Sequence, residues 1–331
     1  MKPKTITILI IVFFALFAFV LLYRNILSKP SEKNLFRKSD IQKLSKLEII
    51  RNNNNKYVFE KQPGLWQATQ PLAFKLDKEL INEFIASIQK ISLKNLISTS
   101  SDKYARFGVS DASSTIINIY GSAKKPPISL FPGKQADYNP SNIYIRLKGK
   151  PEVYISEGPY EYMLVRDIKD WLDKTILAID KNQVTEIILI SSKETSRLYK
   201  KGEKWLVINT EKGEGEEAEP AECSALLGNL EKLTACEIIF STENPKALQD
   251  KTGFDKPVFQ LLAKLQNGEE KKVLVGNKYQ NSNYYVKLYG EATLYGAYAY
   301  TIDNLKKTAA QLKRKTPPAP EPPKAEQLQG K

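Results

Sequence analysis

The chain has no histidine in its 331 residues, and only two cysteines, two methionines and three tryptophans. Without an imidazole there is no histidine general base, no Ser-His-Asp or Cys-His nucleophile, and none of the zinc sites that need one. The cysteines, Cys223 and Cys236, fall at the two ends of a helical stretch. Thirteen residues of helix would separate their Cα atoms by about 20 Å, whereas a disulfide needs them within about 7 Å. They read as buried, unbridged thiols. Two short motifs are also emptied by their context. Gly213 to Ala218 (GEGEEA) has the outline of a dinucleotide fingerprint, but it is acidic where a pyrophosphate would sit, and no parallel βαβ unit surrounds it. Gly108 to Ala112 (GVSDA) has the outline of a nucleophile elbow and, with no histidine and no strand-to-helix context, reads as a turn. No catalytic, cofactor-binding or metal-ligating residue is assigned. Carboxylates are plentiful, so a two-carboxylate hydrolase survives by residue type alone, although no pair of them recurs in the repeat described below.

Charge is missing altogether from Thr5 to Tyr23 (TITILIIVFFALFAFVLLY). Nineteen residues of helix span roughly 28 Å, close to a hydrocarbon core of about 30 Å, and backbone inside lipid must satisfy its own hydrogen bonds. A cleaved signal peptide would have a shorter apolar region and a small-x-small exit. The run therefore reads as an uncleaved transmembrane helix, residues 5–23, behind a short tail, residues 1–4. Lys2 and Lys4 ahead of it suit an N-in anchor. The basic residues behind it vote the other way, but long domains translocate largely regardless of charge. The expectation is a single-pass protein whose folded mass faces away from the cytoplasm.

The net charge of +13 looks like a nucleic-acid signal until it is located. Residues 1–43 carry +6, residues 44–180 carry +4, residues 181–312 carry none and residues 313–331 carry +3. The excess flanks the apolar run or lies in the tail, where basic residues meet anionic headgroups. A nucleic-acid surface needs a basic stripe on the folded domain, so no nucleic-acid partner is expected.

What remains reads as one pattern given twice. Tyr144 to Tyr154 (YIRLKGKPEVY) aligns without a gap on Tyr285 to Tyr295 (YVKLYGEATLY), and each is followed by Tyr-x-Tyr, at Tyr160/Tyr162 and Tyr298/Tyr300. Upstream, Trp66 ends a strand-like stretch and Trp205 sits in one, each ahead of an amphipathic helix. Asp77 to Ile91 and Ala221 to Ala235 have helical apolar spacing, with Asp77 as N-cap and the acidic run Glu214 to Glu222 suiting a helix N-terminus. Next come apolar strands, Leu93–Ser98 and Glu237–Ser241, then polar turns with Gly108 and Gly253. Further strands are centred near 118, 129, 145 and 154, and near 260, 273, 286 and 295. Short connections make such strands antiparallel, so the predicted class is α+β. The expected layout is a basic juxtamembrane linker (24–43), repeat 1 (44–180), repeat 2 (181–312) and a Pro-rich, disordered tail (313–331).

Tyrosine is the densest functional candidate: Tyr279, Tyr284, Tyr285, Tyr289, Tyr295, Tyr298 and Tyr300 crowd one stretch. Those matched in the other repeat read as fold-forming; Tyr279, Tyr284 and Tyr289 are unmatched and are the candidates for a glycan- or peptide-binding surface.

The arrangement resembles the family of domain of unknown function 4340. The resemblance spans residues 44–312 and rests on Trp66 and Trp205, Thr252-Gly-Phe-Asp-Lys-Pro257, Gly133 and Gly276, and the paired Tyr144/Tyr154 and Tyr285/Tyr295. The first repeat has Phe107-Gly-Val-Ser-Asp111 and no proline in place of the Gly-x-Asp-x-Pro form. The resemblance implies a non-enzymatic, cofactor-free envelope protein, in some members associated with ABC-type transport systems, including gliding-motility auxiliaries. The expected partners are the bilayer and a membrane protein such as an ABC-type transporter subunit.

Overall fold

The computed structural model describes residues 34–51, 55–112, 114–121, 126–137, 139–209, 214–240, 245–280 and 282–314. The apolar run 5–23 and the tail beyond residue 314 lie outside the described residues, among which no helix is long and apolar enough to cross a membrane. The chain divides into two compact units after Asp173. This falls short of the boundary expected at residue 180, because Thr175–Leu177 pairs with Leu233–Thr234 inside the second unit.

The first unit is built on an antiparallel sheet of nine strands. They are β1 (Lys46–Ile50), β2 (Lys56–Gln62), β3 (Leu65–Gln70), β4 (Phe74–Lys75), β5 (Asn95–Ser98), β6 (Ile116–Tyr120), β7 (Ile128–Ala136), β8 (Asn139–Leu147) and β9 (Val153–Glu157). Their order is β4-β3-β2-β1-β6-β7-β8-β9-β5. The helices are α1 (Lys38–Gln42), α2 (Lys78–Gln89), α3 (Tyr104–Phe107) and α4 (Glu161–Val165). Leu47, Ile49, Phe59, Ile117, Leu130 and Ile145 line one buried face. Asp77 caps α2 as expected, its side chain accepting from the Glu79 and Leu80 N–H groups at 2.9 and 3.0 Å. From α2, Phe84 meets Trp171, and Trp171 meets Phe59 on the sheet, both with ring centroids 5.2 Å apart. The fully buried Trp171 thus joins helix to sheet. Residues 34–43, expected as linker, belong to the fold: Phe36 is buried and the Leu35 N–H donates to the Ile91 carbonyl at 2.8 Å.

The second unit opens with β10 (Thr175–Leu177), β11 (Val184–Ser191), β12 (Thr195–Lys201), β13 (Lys204–Ile208), β14 (Glu216–Glu217), β15 (Leu233–Thr234) and β16 (Glu237–Ile238). It continues with β17 (Phe259–Leu265), β18 (Glu270–Tyr279), β19 (Asn283–Leu288) and β20 (Tyr295–Tyr298). Its helices are α5 (Pro220–Glu231), α6 (Pro245–Thr252), α7 (Ala299–Asp303) and α8 (Ala309–Leu312). Nine of its strands form a sheet in the order β14-β13-β12-β11-β17-β18-β19-β20-β16, and β10 pairs with β15 alone. The two large sheets have the same strand order, position for position. The predicted α+β class, mainly antiparallel sheet with packed helices, is the one observed.

Two local expectations change. Helix α5 stops at Glu231, short of Ala235, and Leu233 reaches the core from β15. Cys236 therefore lies outside the helix, and both cysteines are free thiols. The stretches around Gly108 and Gly253, expected as polar turns, carry the short helices α3 and α6. Gly108 ends α3 in the left-handed conformation, and Gly253 follows α6 with the same sign of φ (72° and 70°).

Each short helix also fixes a glycine in a strand. A Cβ on Gly133 would collide with the Phe107 carbonyl oxygen, and one on Gly276 would collide with that of Thr252. Those carbonyls belong to the residues just before Gly108 and Gly253, so the end of each short helix passes directly over strand β7 or β18. Both strands bulge there, pairing being interrupted between Pro132 and Gln135 and between Val275 and Lys278. Gly133→Ala and Gly276→Ala are each expected to destabilise by about 1–3 kcal/mol in chemical denaturation, since backbone must move to admit the methyl. Gly228→Ala, inside α5 with no neighbour in reach, should raise stability by up to about 1 kcal/mol.

Candidate functional site

Of the three candidate tyrosines, Tyr279 and Tyr284 lie on the adjoining strands β18 and β19 and Tyr289 just past the end of β19, and they do not share a surface. Tyr279 stacks on Tyr285 with centroids 4.5 Å apart, and its hydroxyl donates to Glu237 Oε1 at 2.8 Å. Burial, then the bond to Glu237, pushes its phenol well above the usual range. Its hydroxyl also occupies the space that a Cβ on Gly296 would need, which is a structural reason for that glycine. Tyr289 is 67% exposed beside β19, with the Lys272 ammonium 5.4 Å from its ring centroid. Tyr284 pairs with Ala297 and Lys278 on the face of the sheet that holds the core, opposite the neighbouring Tyr285, and is only 7% exposed.

The repeated tyrosines divide differently. Tyr285 and Tyr295 are buried, and Tyr144 packs on Phe107 with centroids 4.6 Å apart. Tyr154 is half-buried on β9, while Trp66 and Trp205 are half-buried on β3 and β13. The Tyr-x-Tyr pairs form surface stacks: Tyr160 on Tyr162 at 5.8 Å, and Tyr298 on Tyr300 at 5.4 Å. Tyr162, Tyr298 and Tyr300 are exposed. Repetition in the sequence marks these positions without saying which way they face.

Around Tyr284 lies a cleft of about 580 Å³, a volume that suits a small organic molecule. Leu189, Val258 and Phe259 supply apolar wall, Ser191, Ser196 and Thr308 supply hydroxyls, and Lys193, Lys278, Lys306 and Lys307 supply cations. The Lys306 and Lys278 ammonium groups lie 4.1 and 5.3 Å from the Tyr284 ring centroid, an attractive geometry for cation and π-face. The lining's single acid, Glu194, is engaged: its Oε1 accepts from Ser196 Oγ and from the Ala309 N–H, both at 2.9 Å. Lys278 was legible as a neighbour only through the β18–β19 register, and Lys306 and Lys307 arrive from the segment after α7, far along the chain.

That segment is where the second unit departs from the first. The Asp77 N–H donates to the Trp171 carbonyl at 2.8 Å, and the Glu219 N–H donates to the Leu312 carbonyl at 2.7 Å. The stretch from Tyr298 to Leu312 is three residues longer than that from Tyr160 to Trp171. Lys306, Lys307 and Thr308 lie in the longer stretch.

Among the described residues two carboxylates are buried, and each is bridged by two cations. Glu48 on β1 accepts from Asn118 and Tyr120 at 3.1 and 2.9 Å and is bridged by Lys46 and Lys56, both at 3.0 Å. Glu186 on β11 is bridged by Arg197 and Lys264. Among the described residues no cluster of three or more Asp, Glu or Cys is placed to hold a metal ion. Burial pushes the Cys223 thiol up to about 11, with Glu219 and Glu222 adding to the effect, which leaves it protonated and poorly nucleophilic.

The sequence profile of the family described as Domain of unknown function (DUF4340) matches residues 66–257. The chain belongs to that family. The match begins at Trp66 in the first unit and ends at Pro257 in the second, so it runs across the division at Asp173. No curated protein and no solved structure is detectably similar to the chain.

Burial would raise the Glu48 carboxyl, but hydrogen bonds from Lys46, Lys56, Asn118 and Tyr120 together outweigh it and hold the group at about 2. The folded value lies below the unfolded value of about 4.3, so this stabilisation is complete above about pH 5 and is lost as pH falls toward 2. Glu48→Gln should lower stability at neutral pH by about 1–3 kcal/mol and flatten the dependence between pH 5 and 2. Denaturation midpoints across that range check both.

Proposed function

We propose that the chain is a non-enzymatic, membrane-tethered accessory protein of the cell envelope. It carries two copies of one α+β domain on the extracytoplasmic side and works by binding a membrane-protein partner. The observation that carries the reading is the uncharged run Thr5–Tyr23 placed ahead of two compact units. Such a run suits an anchor, and an anchor keeps the folded mass close to other membrane proteins.

Support for two copies comes from several correspondences. The large sheets share one strand order. Gly133 and Gly276 lie beneath equivalent carbonyls. The Leu76 N–H donates to the Trp66 carbonyl, and the Ala218 N–H to that of Trp205, at 3.1 and 2.9 Å. In the aligned Tyr blocks, the Arg146 guanidinium lies over Tyr104 and the Lys287 ammonium over Phe254, at 4.3 and 4.9 Å from the ring centroids.

A non-enzymatic role fits a chain without histidine whose buried carboxylates are each neutralised by two cations. Likeness to this family makes an ABC-type transporter subunit the partner class to examine first.

A C-terminal reporter fusion and protease shaving of intact cells test the topology. Protection of the folded units inside the cytoplasm would overturn the extracytoplasmic placement. Purification in mild detergent should recover a stoichiometric membrane protein, and a chain that migrates alone as a monomer would count against the accessory role.

A further inference from the structure

We propose that the Tyr284 cleft of the second unit is a binding site for a phosphate group carried on a small apolar body, either a soluble organophosphate or a lipid headgroup. The inference stands independently of the membrane tether and of any protein partner.

Charge is the first argument. Four lysines line the cleft against one glutamate, and that glutamate is already held by Ser196 and the Ala309 N–H. Lys307 is neutralised by Glu222 at 3.0 Å, and Lys306 has the largely exposed Asp303 at 3.4 Å. Lys193 and Lys278 have no acidic partner among the described residues. The second unit as a whole carries no net charge from residue 181 to 312, so this concentration of cations is local. Like charges gathered without counter-charge repel one another, and an anion in their midst removes that cost.

The Tyr284 hydroxyl is the second argument. It makes no hydrogen bond among the described residues, yet it is not among the unpartnered polar atoms sealed from solvent. In a side chain so deeply buried, that hydroxyl meets solvent in the cleft the residue lines. It is a free donor on a ring that two ammonium groups approach.

Chemistry then fits the ligand class. Lysine binds phosphate as a point charge and needs no fixed bidentate geometry, and the cations of the lining are all lysines. Ser192 adds a hydroxyl donor, those of Ser191 and Thr308 already donating to the Glu194 carbonyl and Gln311 Oε1, and Leu189, Val258 and Phe259 suit the carbon body. The first unit lacks this set. Ile143 and Gln135 stand where the aligned Tyr blocks and strand glycines place Tyr284 and Lys278, and its return segment is the shorter one.

Isothermal titration of the full chain in a neutral detergent tests the site with inorganic phosphate, glycerol 3-phosphate and dihexanoyl phosphatidylglycerol. Saturable binding of at least one, weakened by added salt, is expected. A response to glycerol 3-phosphate identifies a soluble source, and a response to the lipid alone identifies a headgroup. Lys278→Ala with Lys306→Ala should weaken binding about tenfold or more. Lys278→Arg should retain most of it, and Tyr284→Phe should lose less than the double lysine variant. Lys272→Ala, beside the exposed Tyr289, should leave binding unchanged. Absence of binding by all three probes, or binding that the double lysine variant leaves intact, overturns the proposal. Circular dichroism of each variant separates loss of the site from loss of the fold.

Discussion

Each unit depends on bringing the far end of its chain back to the start of its long helix. Two backbone hydrogen bonds make each join, from Asp77 to Trp171 and from Asp173 to Lys75 in the first unit, and from Glu219 to Leu312 and from Arg314 to Glu217 in the second. The returning residue is fully buried or nearly so in both cases, and the apolar sheet face needs that cover because a single twelve-residue helix spans only about 18 Å. In the first unit Trp171 fills the gap between Phe59 and Phe84. In the second the returning residue is Leu312, and the longer approach to it carries Lys306, Lys307 and Thr308 into the lining of the Tyr284 cleft.

The opposite sheet face is covered by the short helices, under a different constraint. Close approach of a helix end to a strand is open only where the strand has no Cβ, so Gly133 and Gly276 serve backbone packing more than backbone flexibility. The cluster of Phe107, Val109, Phe131 and Val153 then forms a second, smaller core on that side of the first unit. Arg146 closes over it, its Nε donating to the Val109 carbonyl at 2.9 Å and its Nη2 bridging Asp111 at 2.7 Å.

Electrostatics separate structural from available charge. Glu48 and Glu186 are surrounded by cations and are spent on holding strands together. At the end of the second unit, Lys313 and Arg314 pair with Glu216 and Glu217 at 2.5 and 2.8 Å. The acidic run that suited a helix N-terminus in the sequence therefore also fastens the start of the basic tail. In the Tyr284 cleft Lys193 and Lys278 have no acidic partner among the described residues, and that is why the cleft, rather than the exposed tyrosine stacks, carries the ligand reading.

The sequence by itself determined the antiparallel α+β class, the strand centres, the Asp77 cap and the glycine positions. Those are local or periodic signals: alternation, helical spacing, capping chemistry and residues that only a turn or close contact requires. Repetition made the pattern visible twice over. Only the tertiary structure decided which face each tyrosine takes and which distant lysines join it. Tyr284 and Tyr285 are neighbours in sequence, yet the pleat sends them to opposite faces. Tyr298 and Tyr300, read as fold-forming because they recur, lie exposed where their strand runs out into a short helix. Burial at a strand end depends on what the rest of the chain brings to cover it, and no local pattern encodes that.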